Sequence, residues 1–335
     1  MAPNSSFRLV RQGILFIDYM TGIDFKPFIH GSYEFTDRNG YTGFCHFSRK
    51  QTEYLKFNDF FYRRAFFSSS VTLEFLAKNC KFAFDYFIAD VSSKDTLDVF
   101  VNGKRVYSYK ISELDEKGTL VFSVDNIDEN AVNEVVVYFP TDADFAIKNF
   151  KASKDVMPIK RNLKVLWIGD SITQGYGTFQ TSDTFVNICR RKLGFEVLNQ
   201  GIGGYYNDAK CLMSLENFTP DRVIVSMGTN LHSWHDKEKY ITEFYAKLNE
   251  IYGNVKTLNI TPLWRGDEAA NAEELARTRL LIEKECEKYG MLVVNGDELV
   301  SHDEKMFYDN LHPNIFGAED YAENLCRFIT DCNFL

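Results

Sequence analysis

Three residue types in this chain combine into acyl-transfer chemistry. Ser171 sits in Val165-Leu166-Trp167-Ile168-Gly169-Asp170-Ser171-Ile172-Thr173-Gln174-Gly175, a short apolar run that breaks into Gly-Asp-Ser and then reaches another glycine. A neutral serine hydroxyl is a weak nucleophile and needs a base within hydrogen-bond reach. Imidazole titrates near neutrality, which suits His312 to that work. Asp309, in Asp309-Asn310-Leu311-His312, stands three residues before the histidine, so one local turn can present both. The carboxylate would orient the ring and stabilise its cation. Each piece alone reads as a turn serine or a surface histidine; their order and context make the stronger case.

Such a serine is best delivered by a parallel strand, because open α/β sheets build their sites at the carboxyl ends of strands. From Lys164 onward the pattern supplies that setting. Apolar strand candidates at 165–168, 196–198, 223–226, 257–260 and 292–294 alternate with amphipathic segments. In one of these, Leu275, Ile282, Cys286 and Tyr289 share a helical face while Glu273, Glu274 and Lys284 lie elsewhere. Alternating strand and helix predicts a parallel sheet covered on both faces.

The first 155 residues have another texture. Val71, Leu73 and Phe75 alternate with polar residues, as do Phe82, Phe84 and Tyr86. Asn102-Gly103, between Val99–Val101 and Lys104–Tyr107, marks a type I′ hairpin. Further strands are expected at 135–140 and 145–150. Short strands with turn residues between them predict an all-β sandwich, jelly-roll-like, whose phenylalanines make its core. The polar stretch Lys151–Asp155, running on to Met157-Pro158, reads as a linker. Two domains follow, residues 1–155 and 160–335, which suits a chain of 335 residues.

Composition narrows the partners. A net charge of −9 without Lys/Arg runs argues against nucleic acid and anionic membrane surfaces. No stretch approaches the ~20 apolar residues of a membrane span. Met1–Arg8 lacks the basic start and apolar run of a signal peptide. The seven scattered cysteines form no CxxC pair and read as free thiols of a reducing compartment, so a cytoplasmic protein is expected. Gly201-Ile202-Gly203-Gly204 does not give the GxGxxG spacing and there is no GxxxxGK[ST], which argues against a phosphate cradle. His232 and His235 have no accompanying zincin glutamate, so a lining or surface role is expected and no metal is called for.

Four blocks of the second half, Gly169-Asp170-Ser171, Asn199-Gln200-Gly201-Ile202-Gly203-Gly204, Gly228-Thr229-Asn230 and Asp309-Asn310-Leu311-His312, line up in an order that resembles the SGNH (GDSL-type) hydrolases. The resemblance covers roughly residues 160–332. It implies a three-layer α/β/α domain with Ser171, His312 and Asp309 as catalytic residues. It also implies an oxyanion hole made by the Ser171 backbone N–H, the Gly204 N–H (Gly203 being the alternative register) and the Asn230 side-chain amide. Some similar carbohydrate esterases use a backbone carbonyl in place of the acid. Leu231-His232 departs from the Asp that often follows the third-block Asn.

A β-sandwich placed before such a domain, with Gly-Asp-Ser-Ile-Thr-Gln-Gly-Tyr-Gly at the nucleophile, looks like two-domain bacterial carbohydrate esterases. The implied activity is O-deacetylation of plant-derived manno- or xylo-oligosaccharides, with no cofactor. A lipid esterase or acyl-thioesterase, or an idle carbohydrate-binding protein, are the alternatives. Tyr205, Tyr206, Trp234 and Trp264 lie near the expected site and are candidates to stack on a sugar. Asp170 and Arg265 are further candidate substrate contacts. Whether the chain forms a homo-oligomer is left open.

Overall fold

A computed structural model describes residues 19–91, 95–126, 128–267 and 272–335. The Met1–Arg8 stretch weighed as a leader lies outside the described residues. The first half contains β1 (Ile29–His30), β2 (Glu34–Arg38), β3 (Tyr41–Cys45), two short helices α1 (Arg49–Leu55) and α2 (Asp59–Arg64), then β4 (Thr72–Ala77), β5 (Cys80–Val91) and β6 (Thr96–Val101). It continues with β7 (Lys104–Lys110), β8 (Lys117–Val124), β9 (Asn133–Tyr138), β10 (Ala143–Ala152) and β11 (Val156–Pro158). Two antiparallel sheets result, ordered β1-β4-β9-β6-β7, with β11 beside β4, and β2-β3-β10-β5-β8.

The period-2 pattern explains how they pack. Phe75 on one sheet meets Phe82 and Phe150 on the other, at ring separations of 5.1 and 5.8 Å. Phe84, Phe122, Phe139 and Phe145 join the same buried core, so the phenylalanine enrichment is spent on core packing. Asn102 (φ 51°) and Gly103 (φ 75°) close the β6–β7 hairpin with both residues at positive φ, as the Asn-Gly pair predicts. The segment read as a linker is more ordered than expected. β10 runs through Ala152, and Val156–Pro158 pairs with Phe75–Ala77. Its polar composition is that of a solvent-facing edge, which period-2 reading of three residues does not separate from a loop.

The second half contains β12 (Lys164–Gly169), α3 (Ser171–Gln174), α4 (Phe185–Leu193), β13 (Glu196–Gly201), β14 (Arg222–Ser226), α5 (Lys237–Tyr252), β15 (Lys256–Ile260), α6 (Ala272–Lys288), β16 (Leu292–Val294) and α7 (Ile315–Asp331). The sheet is parallel in the order β13-β12-β14-β15-β16. Every strand expected here is present. Alternation along β12 divides its side chains between two layers. Leu166 and Ile168 join Ile241, Phe244 and Leu248 of α5, whereas Val165 and Trp167 join Phe185 of α4 and Tyr321 and Leu325 of α7. The three-layer α/β/α domain preceded by a β-sandwich is therefore the architecture of this chain. Among the described residues no helix is long and apolar enough to cross a membrane. All seven cysteines are free, and all but Cys332 are buried.

The two halves share a buried interface. Glu74 of β4 pairs with Arg190 of α4 and, at 2.7 Å, with Arg161. Burial opposes ionisation of Glu74, but Arg190, His30 and Arg161 outweigh it and hold its pKa at about 2. Near the sheet's carboxyl end, Ser69 Oγ donates to the Gln174 carbonyl at 2.6 Å, and Asn199 Nδ2 donates to Ser69 and Ser70 Oγ at 3.2 and 3.1 Å. Leu55, Phe61 and Ala65 of the α1–α2 region are buried in the same core as α5.

Candidate active site

Strand register brings the blocks to one place. Gly169 of β12 stands opposite Gly201 of β13 and Ser226 of β14. Ser171, Gly203 and Gly228 each lie two residues past that line. The three loops therefore leave the sheet at one level, at the crevice where the strand order reverses. Gly169 is required there: a Cβ would lie 2.0 Å from Thr173 Oγ1, so only glycine lets α3 fold back over its strand.

The fourth block reaches the crevice on a tight turn. Tyr308 N–H donates to the His312 carbonyl at 2.8 Å, and Asn310 takes a positive φ of 63° at the tip. Asp309 Oδ1 accepts the N–H groups of Leu311 and His312 at 3.3 and 2.9 Å. The i, i+3 spacing thus works as expected, with one carboxylate shaping the turn and gripping the ring it carries.

Ser171 Oγ lies 2.7 Å from His312 Nε2, and His312 Nδ1 lies 2.9 Å from both Asp309 oxygens. The distances suit a nucleophile, base and orienting acid in line. Burial works against the Asp309 charge, but the His312 backbone N–H, the His312 ring and the Leu311 N–H outweigh it and hold its pKa below the ordinary carboxylate value. Tyr176 packs edge-on against the His312 ring at 4.8 Å.

The expected oxyanion donors converge on the same loops. Gly203 N–H donates to Gln174 Oε1 at 2.7 Å, so it is already committed. Gly204 N–H has no hydrogen-bond partner among the described residues, which favours the Gly204 register. Gly204 takes a φ of +73°, a left-handed conformation suited to glycine. Asn230 Nδ2 donates to the Tyr205 carbonyl at 2.8 Å. That bond uses one of its two hydrogens and aims the amide.

Three of the expected substrate contacts, Asp170, Tyr205 and Arg265, turn out to be buried. Asp170 is 3% exposed, and its carboxylate turns inward to accept the Ile172 N–H at 3.0 Å, capping α3. Tyr205 is buried, with its ring against Phe61 and its hydroxyl 3.0 Å from Asp208. Its carbonyl, not its ring, serves the site. Arg265 is buried and forms two hydrogen bonds to Asp267, at 2.7 and 2.6 Å. Tyr206, Trp234 and Tyr240 pack on one another, and Trp264 stacks on His302 at 5.1 Å. These four are half-buried or more solvent-shielded than free platforms because apolar ring area beside the sheet is covered by its neighbours. His232 Nδ1 lies 2.7 Å from the Thr229 carbonyl, a packing role. No group of three or more His, Cys, Asp or Glu side chains placed to hold a metal ion occurs among the described residues.

The cap gives a pH expectation. Burial pushes the Asp170 pKa up to about 7, against the backbone N–H bonds and the Arg265 charge that favour ionisation. A raised carboxyl keeps its proton in the fold where the unfolded chain has lost it. The stability it contributes is full below about pH 4 and declines up to about pH 7, by at most about 4 kcal/mol. Asp170→Asn keeps a capping oxygen and removes the titration. Its melting temperature relative to the native protein should climb from pH 4 to pH 7 and level off above. A difference that stays constant over that range would contradict the raised pKa.

Sequence reasoning missed the first half's share of the site. A Cβ on Gly204 would lie 3.8 Å from Phe61 and 3.9 Å from Phe60, and one on Gly203 would lie 3.1 Å from Arg64 Nε. Helix α2 therefore walls the oxyanion loop. The Phe60 ring is exposed and carries the Arg64 guanidinium at 3.5 Å. Across the crevice, Tyr308 is exposed and packs against Phe179 at 4.7 Å. A signal for these helices exists in Ser48-Arg49-Lys50-Gln51, a capping box in which side chain and backbone bond reciprocally.

Residues 167–319 match the GDSL-like lipase/acylhydrolase family. The match covers most of the α/β domain and, with the fold, supports an esterase that carries a β-sandwich at its front. Across nearly its whole length it resembles solved two-domain structures. Salicylyl-acyltransferase SsfX3 from a tetracycline biosynthetic pathway is 18% identical, with a TM-score of 0.72 over 95% of this chain and 98% of that one. A family two carbohydrate esterase from Clostridium thermocellum, in complex with cellohexaose, is 16% identical, with a TM-score of 0.63 over 92% and 100%. The acetyl xylan esterase Est2A from the rumen bacterium Butyrivibrio proteoclasticus is 14% identical, with a TM-score of 0.61 over 94% and 98%. At these identities the likeness is one of fold. No curated protein sequence matches the chain.

Proposed function

We propose that this esterase is a carbohydrate O-acetylesterase acting on plant-derived oligosaccharides such as acetylated manno- or xylo-oligosaccharides. The hydrogen-bonded line Ser171–His312–Asp309 carries the reading. The whole-chain likeness to carbohydrate esterases supports it. Ser171 Oγ attacks the acetyl carbonyl while His312 Nε2 takes its proton. The tetrahedral oxyanion receives the N–H groups of Ser171 and Gly204 and the second hydrogen of Asn230 Nδ2, each donor worth about 2.7–4 kcal/mol. His312 then protonates the departing sugar oxygen. A water molecule, deprotonated by the same imidazole, attacks the acyl-enzyme and releases acetate. Asp309 keeps the ring in the tautomer that leaves Nε2 free to accept. Phe60 on one side and Tyr176 and Tyr308 on the other offer ring faces to a sugar. Action in the cytoplasm would suit imported oligosaccharides.

One observation favours a second reading. Phe60, beside the oxyanion loop, and Phe57, packed on Phe61, expose about half their surface (48% and 55%), as a longer acyl chain would need. The two readings part in a single experiment. Acetate release from acetylated manno- and xylo-oligosaccharides should be rapid and should exceed turnover of octanoyl esters. No acetate from any glycan, with octanoyl hydrolysis intact, would sink the carbohydrate reading and leave a lipid esterase.

A further inference from the structure

The oxyanion loop is held from the β-sandwich through one buried amide. Gln174 closes the first turn after the nucleophile, its N–H donating to the Asp170 carbonyl at 2.9 Å. Its side chain leaves the α/β domain's own core and spans two loops. Oε1 accepts the Gly203 N–H at 2.7 Å, and Nε2 donates to Asp142 Oδ1 at 2.7 Å. Gln174 and Asp142 are each 2% exposed. Asp142 belongs to the turn between β9 and β10, in the other domain.

The chemistry of the pair gives the bridge a direction. A carboxylate only accepts hydrogen bonds, so it must be faced by the amide nitrogen. The amide oxygen is then obliged to face Gly203. A neutral acceptor at position 142 would leave the amide freer to turn over and present N–H to N–H. Gly203 N–H, once committed, orients the peptide that leads into Gly204, whose N–H remains available. Asp142 is itself held: Asp95 Oδ2 accepts its N–H at 3.2 Å and also the Thr141 N–H. Arg64 and Tyr176 also act electrostatically with Asp142.

We infer that Gln174 and Asp142 form a positioning pair through which the β-sandwich domain sets the oxyanion hole of the catalytic domain. This rests on the serine-esterase reading of the site. Neither residue touches the reacting atoms. The pair acts through Gly203 and Gly204, so its loss should lower kcat and leave KM nearly unchanged. It also gives the β-sandwich a part in catalysis independent of glycan binding.

A charge swap tests it in the full-length protein. Gln174→Glu places a second carboxylate against Asp142. The two can remain in contact only by sharing a proton, with Asp95, Arg64 and Tyr176 as the other titratable groups around them. Hydrolysis of 4-nitrophenyl acetate by Q174E, relative to the native protein, should fall as pH rises from 5 to 8. At pH 8 the loss in kcat should reach about 10- to 100-fold, below the full cost of removing an oxyanion donor. Adding Asp142→Asn to Q174E rebuilds the bridge, because an asparagine amide donates to the glutamate while the other glutamate oxygen accepts Gly203 N–H. The double variant should regain most of the native kcat at every pH. The rate of Ser171 phosphorylation by diisopropyl fluorophosphate, which releases fluoride and whose phosphoryl oxygen uses the same donors, should follow the same order.

A native kcat in Q174E, or a loss that the second substitution does not repair while both variants melt like the native protein, would overturn the pair. Failure of Q174E to fold would shift the test to Asp142→Asn alone, where a freed amide should cost several-fold in kcat; no change there would overturn it as well. A native protein that neither hydrolyses the acetate ester nor is phosphorylated by the fluorophosphate would instead defeat the esterase reading on which the inference rests.

Discussion

Replacing Ser171 by alanine is expected to lower kcat by about 10⁵- to 10⁶-fold, with little change in KM. In the proposed mechanism the hydroxyl forms the covalent bond to the acyl group, an interaction absent from the ground state, so its removal would act on the chemical step. His312→Ala should cost nearly as much, because an unassisted hydroxyl is a poor nucleophile whatever its placement. The 2.7 Å contact between Ser171 Oγ and His312 Nε2 makes the two one unit. Their effects should therefore not add: the double variant should be no slower than either single one. Steady-state and single-turnover kinetics on an acetyl ester measure this directly. Losses that multiply would show that the two side chains work separately. The small activity remaining would come from the oxyanion donors, which neither substitution removes.

Asp309→Asn should reduce kcat by about 10³- to 10⁴-fold while the protein stays folded. Asparagine can preserve the turn, since its carbonyl oxygen still accepts the N–H groups of Leu311 and His312. What it changes is the partner of His312 Nδ1. The carboxylate only accepts, so Nδ1 carries the hydrogen and Nε2 is left to take the serine proton. An amide that presents its N–H to Nδ1 stabilises the opposite tautomer and blocks Nε2. Asp309 is half-exposed, with its side chain at 39%, and water can supply part of the lost acceptor. The loss should therefore stop short of that for Ser171. A loss below about 10-fold would move the orienting role to another group, such as the backbone carbonyl used in the dyad arrangement.

Much of the site was legible because its signals are local. Gly-Asp-Ser after an apolar run, the glycine cluster, Gly-Thr-Asn after a strand and Asp-Asn-Leu-His each specify a short conformation. The positions of the first three, two residues past aligned strand positions, follow from parallel register. The Asn102-Gly103 turn and the phenylalanine alternation were legible for the same reason. The aromatic and charged candidates were harder. Asp170 was drawn inward by the unpaired N–H groups at the start of α3, and Arg265 by Asp267. Phe61, distant in sequence, covered Tyr205. Residue type near a motif places a side chain within reach of a site, but burial and hydrogen bonding decide which way it turns.

Helices α1 and α2 mark the other limit. They are only seven and six residues long, too short to be stable in isolation or to show a clear period. Their stability comes from Leu55, Phe61 and Ala65 packing into a core supplied by residues more than a hundred positions away. Asp142 and Gln174 are likewise ordinary polar residues until the β9–β10 turn meets the first turn after Ser171. The sequence by itself determined the two textures, the parallel sheet of the second half and the candidates for nucleophile, base and acid, because each is written within a few residues. Only the tertiary structure decided that the β-sandwich supplies a wall and a support for the oxyanion loop, because contacts between domains depend on the docking of whole surfaces and leave no period in the chain.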